Sequence, residues 1–385
     1  MSRVLCLLLS AAAAAAQVEF RHHTIEGKIP GGYALLVVDL NNDRRPDVIG
    51  LTSRITELAW YENPSWQRHV LVDGMSGLVN LAAHDLDGDG IPELAVESAF
   101  SMVAAKSEGL VWILEHQGDP RRRWKERKID ALTTSHHLAW ADVDGDGKKE
   151  LINAPLIGPR ALAPAYEDRV PLVYYHVGDW RRRIIDDTLT GVLHRVRVAR
   201  WNRGKADQLL TAGFDGIKLH EARASGDKTK WTSTLLAKGH EEPPPRAGSS
   251  DVALGRLRQR RYLASVEPWH GNEVVVYTED PSRRWQRNVI FSELVEGHEV
   301  CVGDFDGDGR DEIVAGDRGK GKVASAHIFY SQDPAGSRWQ RRVLDDAMSA
   351  SGCAVADLNA DRRPDIVLIG GATANIKWYE NTWPR

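Results

Sequence analysis

Cysteine is scarce: the chain has 3 in 385 residues, and Cys6 falls in an apolar leader. That leaves Cys301 and Cys353, too few for a disulfide-dense framework. Cys301 lies three residues ahead of one acidic turn and Cys353 four ahead of the next. The one-residue offset puts them on opposite faces of their strands, so two buried thiols are the preferred reading, with a disulfide the alternative open to an exported protein. A Cys-x-x-Cys pair, a Gly-x-x-x-x-Gly-Lys-Ser/Thr loop and a Gly-x-Ser-x-Gly elbow are all missing. Dithiol exchange, P-loop chemistry and elbow-type serine hydrolysis have no residues to carry them. No apolar run reaches the roughly 18–20 residues of a spanning helix, so no membrane span is expected. Positive charge is not concentrated either, the net formal charge being −4. The triplets Arg121-Arg122-Arg123 and Arg181-Arg182-Arg183 each precede a tryptophan-led outer segment and read as a solvated rim, so no nucleic-acid partner is expected.

What is there begins with a leader. Met1-Ser2-Arg3 is followed by apolar Val4 to Leu9 and a run of alanines to Ala16. A basic start, a short apolar core and small residues at the end describe a secretory signal peptide. Residues 1–16 are read as cleaved, the product as secreted or periplasmic, and residues 17–385 as one domain.

That domain is organised round a repeated acidic loop, clearest in Asp304-Phe305-Asp306-Gly307-Asp308-Gly309-Arg310-Asp311-Glu312. Calcium takes six to eight oxygens at about 2.3–2.6 Å, and this spacing supplies most of them. The loop leads straight into an apolar strand-like run, Ile313 to Gly316. The predicted calcium ligands are Asp39, Asn41, Asp43, Asp47; Asp85, Asp87, Asp89, Glu93; Asp142, Asp144, Asp146, Glu150; Asp304, Asp306, Asp308, Glu312; and Asp357, Asn359, Asp361, Asp365. Their spacing leaves room for two eroded copies, at Arg200–Asp207 and Gly255–Arg261, which makes seven units. In the eroded copies Arg200, Arg203, Arg256, Arg258, Arg260 and Arg261 stand near where the metal would be. Either a fixed cation replaces the ion there or the loop is simply solvated. A second signature follows each loop, as in Trp60-Tyr61-Glu62-Asn63-Pro64 and then Trp66 to Leu71. Each unit therefore holds about four strand-length segments, and a period of roughly 40–55 residues with four strands is a propeller blade. The last unit stops at Trp378-Tyr379-Glu380-Asn381, and Phe20 to Ile25 supplies its missing outer strand. The fold class is all-β, a seven-bladed β-propeller closed by its N-terminal strand and, with its edges capped, expected to be a monomer.

The acidic loop resembles the FG-GAP/VCBS repeat, also seen in integrin α-subunit propellers. The Trp-Tyr-Glu-Asn-Pro elements are similar to a narrower group that includes the propeller part of fungal aldos-2-ulose dehydratase. The first resemblance implies calcium binding. The second implies a lyase or dehydratase acting on a sugar or keto-sugar, a carbon–oxygen lyase, and carries over no catalytic residue.

The residue six places before each loop enters the first strand of its blade from the face opposite the loop. Round the ring that place reads Tyr33, Val79, His136, His194, Ser249, His298, Ser351. Three histidines at equivalent positions converge on one channel mouth, a favoured place for ligand sites. His136, His194 and His298 are the candidate acid–base groups, or ligands of an additional divalent metal with an open fourth position. Arg195 would stabilise an enolate, with Tyr166 or Tyr33 as proton donor. Trp269 would stack on a sugar face while His270, Glu267, His137 and Arg318 contact its oxygens. The segment His240–Pro245 should overhang the mouth. A non-catalytic propeller that binds glycans or proteins remains the alternative.

Overall fold

The computed structural model describes residues 18–225, 228–319 and 324–384; the leader 1–16 lies outside them. Seven four-stranded antiparallel sheets make up the molecule, with one two-residue ladder between His240–Glu241 and Ala247–Gly248. Six sheets take their strands in chain order. The seventh pairs Phe20–Glu26 with the far end of the chain, Phe20 opposite Asn381 and His23 opposite Trp378. The first strand of blade 1, Gly32–Val38, packs against the inner strands of that seventh sheet. The fold is a seven-bladed β-propeller.

Burial explains the sequence pattern. The second strand of a blade is covered on both faces by neighbouring blades, so it reads as a continuous apolar run. Asp47–Thr52, Glu93–Ser98, Glu150–Pro155, Gln208–Gly213 and Asp365–Gly370 are buried at every residue. Outer strands such as Lys125–Ala131 are mostly exposed. The apolar clusters therefore lie between sheets, and the largest buried side chains include Trp60, Tyr175, Tyr262 and Tyr379.

The acidic loops turn where positive φ is required. Gly88 and Gly90 have φ of 83° and 91°, whereas blade 1 uses Asn42 at 57° and Arg44 at 69°. In each loop the first aspartate accepts backbone N–H groups, as Asp85 does from Gly88 and Gly90 at 2.7 and 3.0 Å. The asparagine of the Trp-Tyr-Glu-Asn signature joins blades: Asn63 Nδ2 donates to Leu358 O at 2.7 Å and Asn381 Nδ2 to Phe305 O at 2.8 Å. The arginines of the eroded loops (Arg200, Arg203, Arg256, Arg258, Arg260) are exposed, which fits the solvated of the two readings.

One expectation is corrected. Cys301 and Cys353 form a disulfide, with Cα atoms 6.2 Å apart. Relative to the loop register they do occupy opposite pleat directions, Cys301 opposite Val314 and Cys353 opposite Leu368. In a propeller, however, opposite faces of adjacent blades are the surfaces that pack together. The offset that would separate two residues of one sheet brings these two together across the gap between blades 6 and 7.

Candidate functional site

The mouth residues and the acidic loops sit at opposite ends of the innermost strands. His136 opens Ser135–Ala141 and Asp142 follows it; His298 precedes Val300–Gly303 and Asp304 follows it. Seven residues at about 3.3 Å each separate the two ends by roughly 20 Å.

Local irregularity aims the side chains. The register of the first strand slips at Tyr33, at His136 and at His194, each of which is the unpaired residue of a bulge. A bulge adds a residue to one strand and turns its side chain out of the pleat. In this way three blades turn an aromatic side chain into the shared mouth.

The imidazoles meet there. Ring centroids are 5.1 Å apart for His136 and His194, 4.9 Å for His194 and His298, 5.0 Å for His194 and His270, and 5.2 Å for His270 and His298. His194 Nδ1 donates to Ser250 O at 2.6 Å, and His298 Nδ1 to Ser351 O at 2.5 Å, each on the next blade. A backbone acceptor on one ring nitrogen fixes the tautomer and leaves the other nitrogen as a lone pair. His194 Nε2 faces His270 Nε2 at 3.2 Å. One ligand nitrogen each from His194, His270 and His298 lies within 4.8 Å of the others, the arrangement a single ion requires. His270 also accepts from Arg318 at 3.2 Å. Tyr33 Oη lies between His136 Nε2 at 2.9 Å and His298 Nε2 at 3.3 Å.

Burial sets the protonation. It pushes His136 down to about 3, with Arg195 adding to the effect. His194 is held well below the usual imidazole range by burial and then by His298 and His270, and His298 by burial and then by Arg318. All three are neutral at physiological pH, the form in which imidazole binds a metal. Burial pushes Tyr33 up to about 12.

The other expected residues take different places. Arg195 is buried against Asp251 at 3.1 Å and against Glu299, and it donates to His137 Nε2. It forms an ion network behind the imidazoles, and its charge is already matched. Trp269 stacks on His270 at 4.6 Å and meets Tyr166 and Phe214 edge-on at 5.8 and 5.6 Å, forming an aromatic wall. Tyr166 contributes its ring to that wall. Ala247, in the two-residue ladder, accepts from Trp269 N at 3.4 Å. Glu267 is fully buried, and its carboxylate accepts from Ser249, Tyr277 and Arg287 at 3.1, 2.7 and 3.0 Å. It braces blade 5 and does not face the mouth.

Glu97 was missed. It is fully buried, and neither carboxylate oxygen has a partner among the described residues. It pairs in register with Asn80, whose side chain accepts Leu138 N beside His137. Burial raises it well above the carboxylate range, and its charge bears on Tyr33. The sequence puts Glu97 at the start of a connection on the mouth side, but nothing in it marks this glutamate as a buried acid without a partner among the described residues.

At the loop end, Asp85, Asp87 and Glu93 cluster within 4.8 Å, as do Asp142, Asp144 and Asp146, and Asp304, Asp306 and Asp308. Asp304 Oδ1 is buried without a partner. This donor set fits a hard cation. Blades 1 and 7 differ: both oxygens of Asp47 and of Asp365 accept backbone N–H groups. There a glutamate from the end of the third strand stands on the loop. Glu62 accepts from Asn41 at 3.0 Å and Glu380 from Asn359 at 3.4 Å.

Residues 39–96 and 304–368 match the FG-GAP-like repeat, and residues 108–280 match the aldos-2-ulose dehydratase β-propeller domain. Aldos-2-ulose dehydratase of Phanerodontia chrysosporium is 26% identical over 235 residues, 54% of this chain. The chain spans 25% of the length of that relative. Among solved structures, a chain from the BBS1N–ARL6DN complex superposes with a TM-score of 0.53 at 12% identity, covering 96% of this chain and 97% of its own. A chain from the mitotic checkpoint complex gives 0.57 at 14%, covering 100% and 99%. At these identities the likeness is one of fold alone.

Proposed function

Two segments of the chain match FG-GAP-like repeats and a third is similar to the β-propeller domain of aldos-2-ulose dehydratase, and from that premise we propose that its channel mouth is the active site of a carbohydrate lyase or dehydratase. The substrate is a sugar or keto-sugar. The observation that carries the proposal is the meeting of four imidazoles from four blades, two of them with Nδ1 tied to backbone and Nε2 turned inward. His194, His270 and His298 would hold a divalent ion, which when bound would polarise a carbonyl oxygen beside the acidic C–H. The wall of Trp269, Tyr166 and Phe214 offers a face for the apolar side of a sugar ring.

The chain's own groups divide the proton work. His136 is neutral and its Nδ1 has no partner among the described residues, which makes that nitrogen the proposed acceptor of the proton from carbon; its lowered pKa makes it a weak base, so the step draws on the acidity of a C–H beside a carbonyl. Glu97 is held in its acid form and gives a proton to the departing hydroxyl, which leaves as water while the C=C bond forms. Tyr33 Oη accepts from His136 Nε2, which leaves Nδ1 as the lone pair and keeps the acceptor oriented.

The proposal includes structural calcium in blades 1, 2, 3, 6 and 7 and export as a monomer. The orphaned Asp304 oxygen supports the first, and the disulfide supports an oxidising destination.

The test is a screen of keto-sugars, glycosides and uronates for ultraviolet absorbance from an unsaturated product, alongside metal analysis of the purified protein. Wild type should turn over and carry one transition-metal ion per chain beyond calcium; His298→Ala should lose both. Equal turnover in the variant would remove His298 from the mechanism, and no turnover with retained sugar binding would leave the binding module.

A further inference from the structure

We propose that the eroded loop of blade 5 forms a second binding site, on the face opposite the mouth, for the anionic groups of an acidic polysaccharide. The site is an open cleft of about 890 Å³ beside blade 5. Arg256, Arg258, Arg260, Arg261 and Arg283 line it.

Three features make it a built anion site. The first is that the cleft's carboxylates are already spent. Asp280 accepts from Ser282, Arg284 and Gln286 at 2.7–3.0 Å, and Glu279 lies 3.7 Å from Arg261. Arg258 and Arg283 have no ion pair among the described residues. The second is that the arginines are displayed by fixed backbone. Arg258 N donates to Gly309 O at 2.7 Å, and Arg256 exchanges hydrogen bonds with Asp311 at 2.8 Å in both directions, which pins the turn to the loop of blade 6. Arg258 and Arg283 both hold positive φ, 59° and 62°. The third is that Arg261 is set over Trp201, 4.0 Å from its centroid, with Nη1 donating to Trp201 O at 2.8 Å.

Guanidinium groups bind carboxylate and sulfate through paired N–H donors. The cleft lining offers no free aromatic face for stacking a base, which single-stranded nucleic acid requires, since Trp201 is covered by Arg261. A carboxylated or sulfated sugar chain, seated locally on the arginines, needs no such face. The site would hold a uronate or sulfated polymer while the mouth acts on, or simply binds, another part of it.

The experiment titrates the full chain, with calcium present, against a size-defined oligogalacturonate, a heparin-derived oligosaccharide, a neutral β-glucan oligomer and a single-stranded oligonucleotide of equal charge. Binding to one or both acidic sugars is expected, weakening with salt and absent for the neutral glycan; the preferred sugar distinguishes carboxylate from sulfate. Arg258→Gln with Arg283→Gln should weaken it roughly tenfold or more, as expected for lost charge-assisted hydrogen bonds. Both side chains are exposed, so the melting temperature should hold. The double variant should turn over a small keto-sugar as wild type does, which separates this site from the mouth. Unchanged affinity for acidic sugar in the double variant, or equally tight binding of the oligonucleotide, would overturn the assignment.

Discussion

A buried carboxyl with no partner is costly, and Glu97 is the clearest case. An unpaired buried polar group costs about 1–3 kcal/mol, and an apolar side chain of similar length avoids it. Glu97→Met should therefore raise the denaturant midpoint while abolishing turnover. The sign with pH follows from its raised folded pKa. Such a group stabilises the fold relative to its ionised form below the unfolded pKa, and that advantage is lost as pH rises toward the folded value. Wild type should lose stability as pH rises above the ordinary carboxylate range, and Glu97→Met should show a shallower slope; parallel slopes would place Glu97 outside the buried acid role. The residues that the sequence made legible share a position in the repeat: His136, His194 and His298 could be found by counting back from each loop. His270 was found only as a neighbour of Trp269, and its closeness to His194 depends on a fold between blades. Glu97, Glu62 and Glu380 were not seen as site residues because their partners are spatial neighbours that no local spacing encodes.

At the scale of the element, the strand–loop–strand unit was readable because its chemistry is local, with ligands, turn residues and buried strand all within about ten residues. The bulges at Tyr33, His136 and His194 were not, since each follows the first paired residue of its strand and too little alternation precedes it to show the change of phase. The loop itself yields a test. Without metal, burial and the neighbouring Asp306 and Asp304 push Glu312 up to about 9 from 4.5. The acid form is then the stable one in the fold, so the metal-free protein loses stability as pH rises from about 4.5 toward 9. A bound cation favours the carboxylate and cancels that trend. Melting curves in EDTA should fall across this range and curves in millimolar calcium should rise above them, most at the alkaline end. Coincident curves with and without chelator would show that the loops need no ion.

At the scale of the whole molecule, the seven-fold architecture was legible from period alone, and the one covalent link between blades was not. The link joins blade 6 to blade 7, and blade 7 holds both ends of the chain through Phe20–Glu26. Separation of the chain ends would begin at that sheet, where Arg21 and His23 reach Glu380 at 3.3 and 2.8 Å on a partly exposed edge. Those contacts are individually weak, since exposed ion pairs contribute about 0–1 kcal/mol. The crosslink spans 52 residues, and a closed loop of that size removes unfolded-state entropy equivalent to about 4 kcal/mol. Cys353→Ser should lower stability by an amount of that order, whereas deleting the ion pairs through Glu380→Gln should cost far less. The wild type, unfolded without reductant, should show no free thiol at Cys301 or Cys353. Reduction should convert its denaturation curve to that of the serine variant, because both then lack the same restraint. If wild type and variant unfold together under oxidising conditions, the two sulfurs are not bonded in solution, and blade 7 is held by its backbone pairing and interblade packing alone.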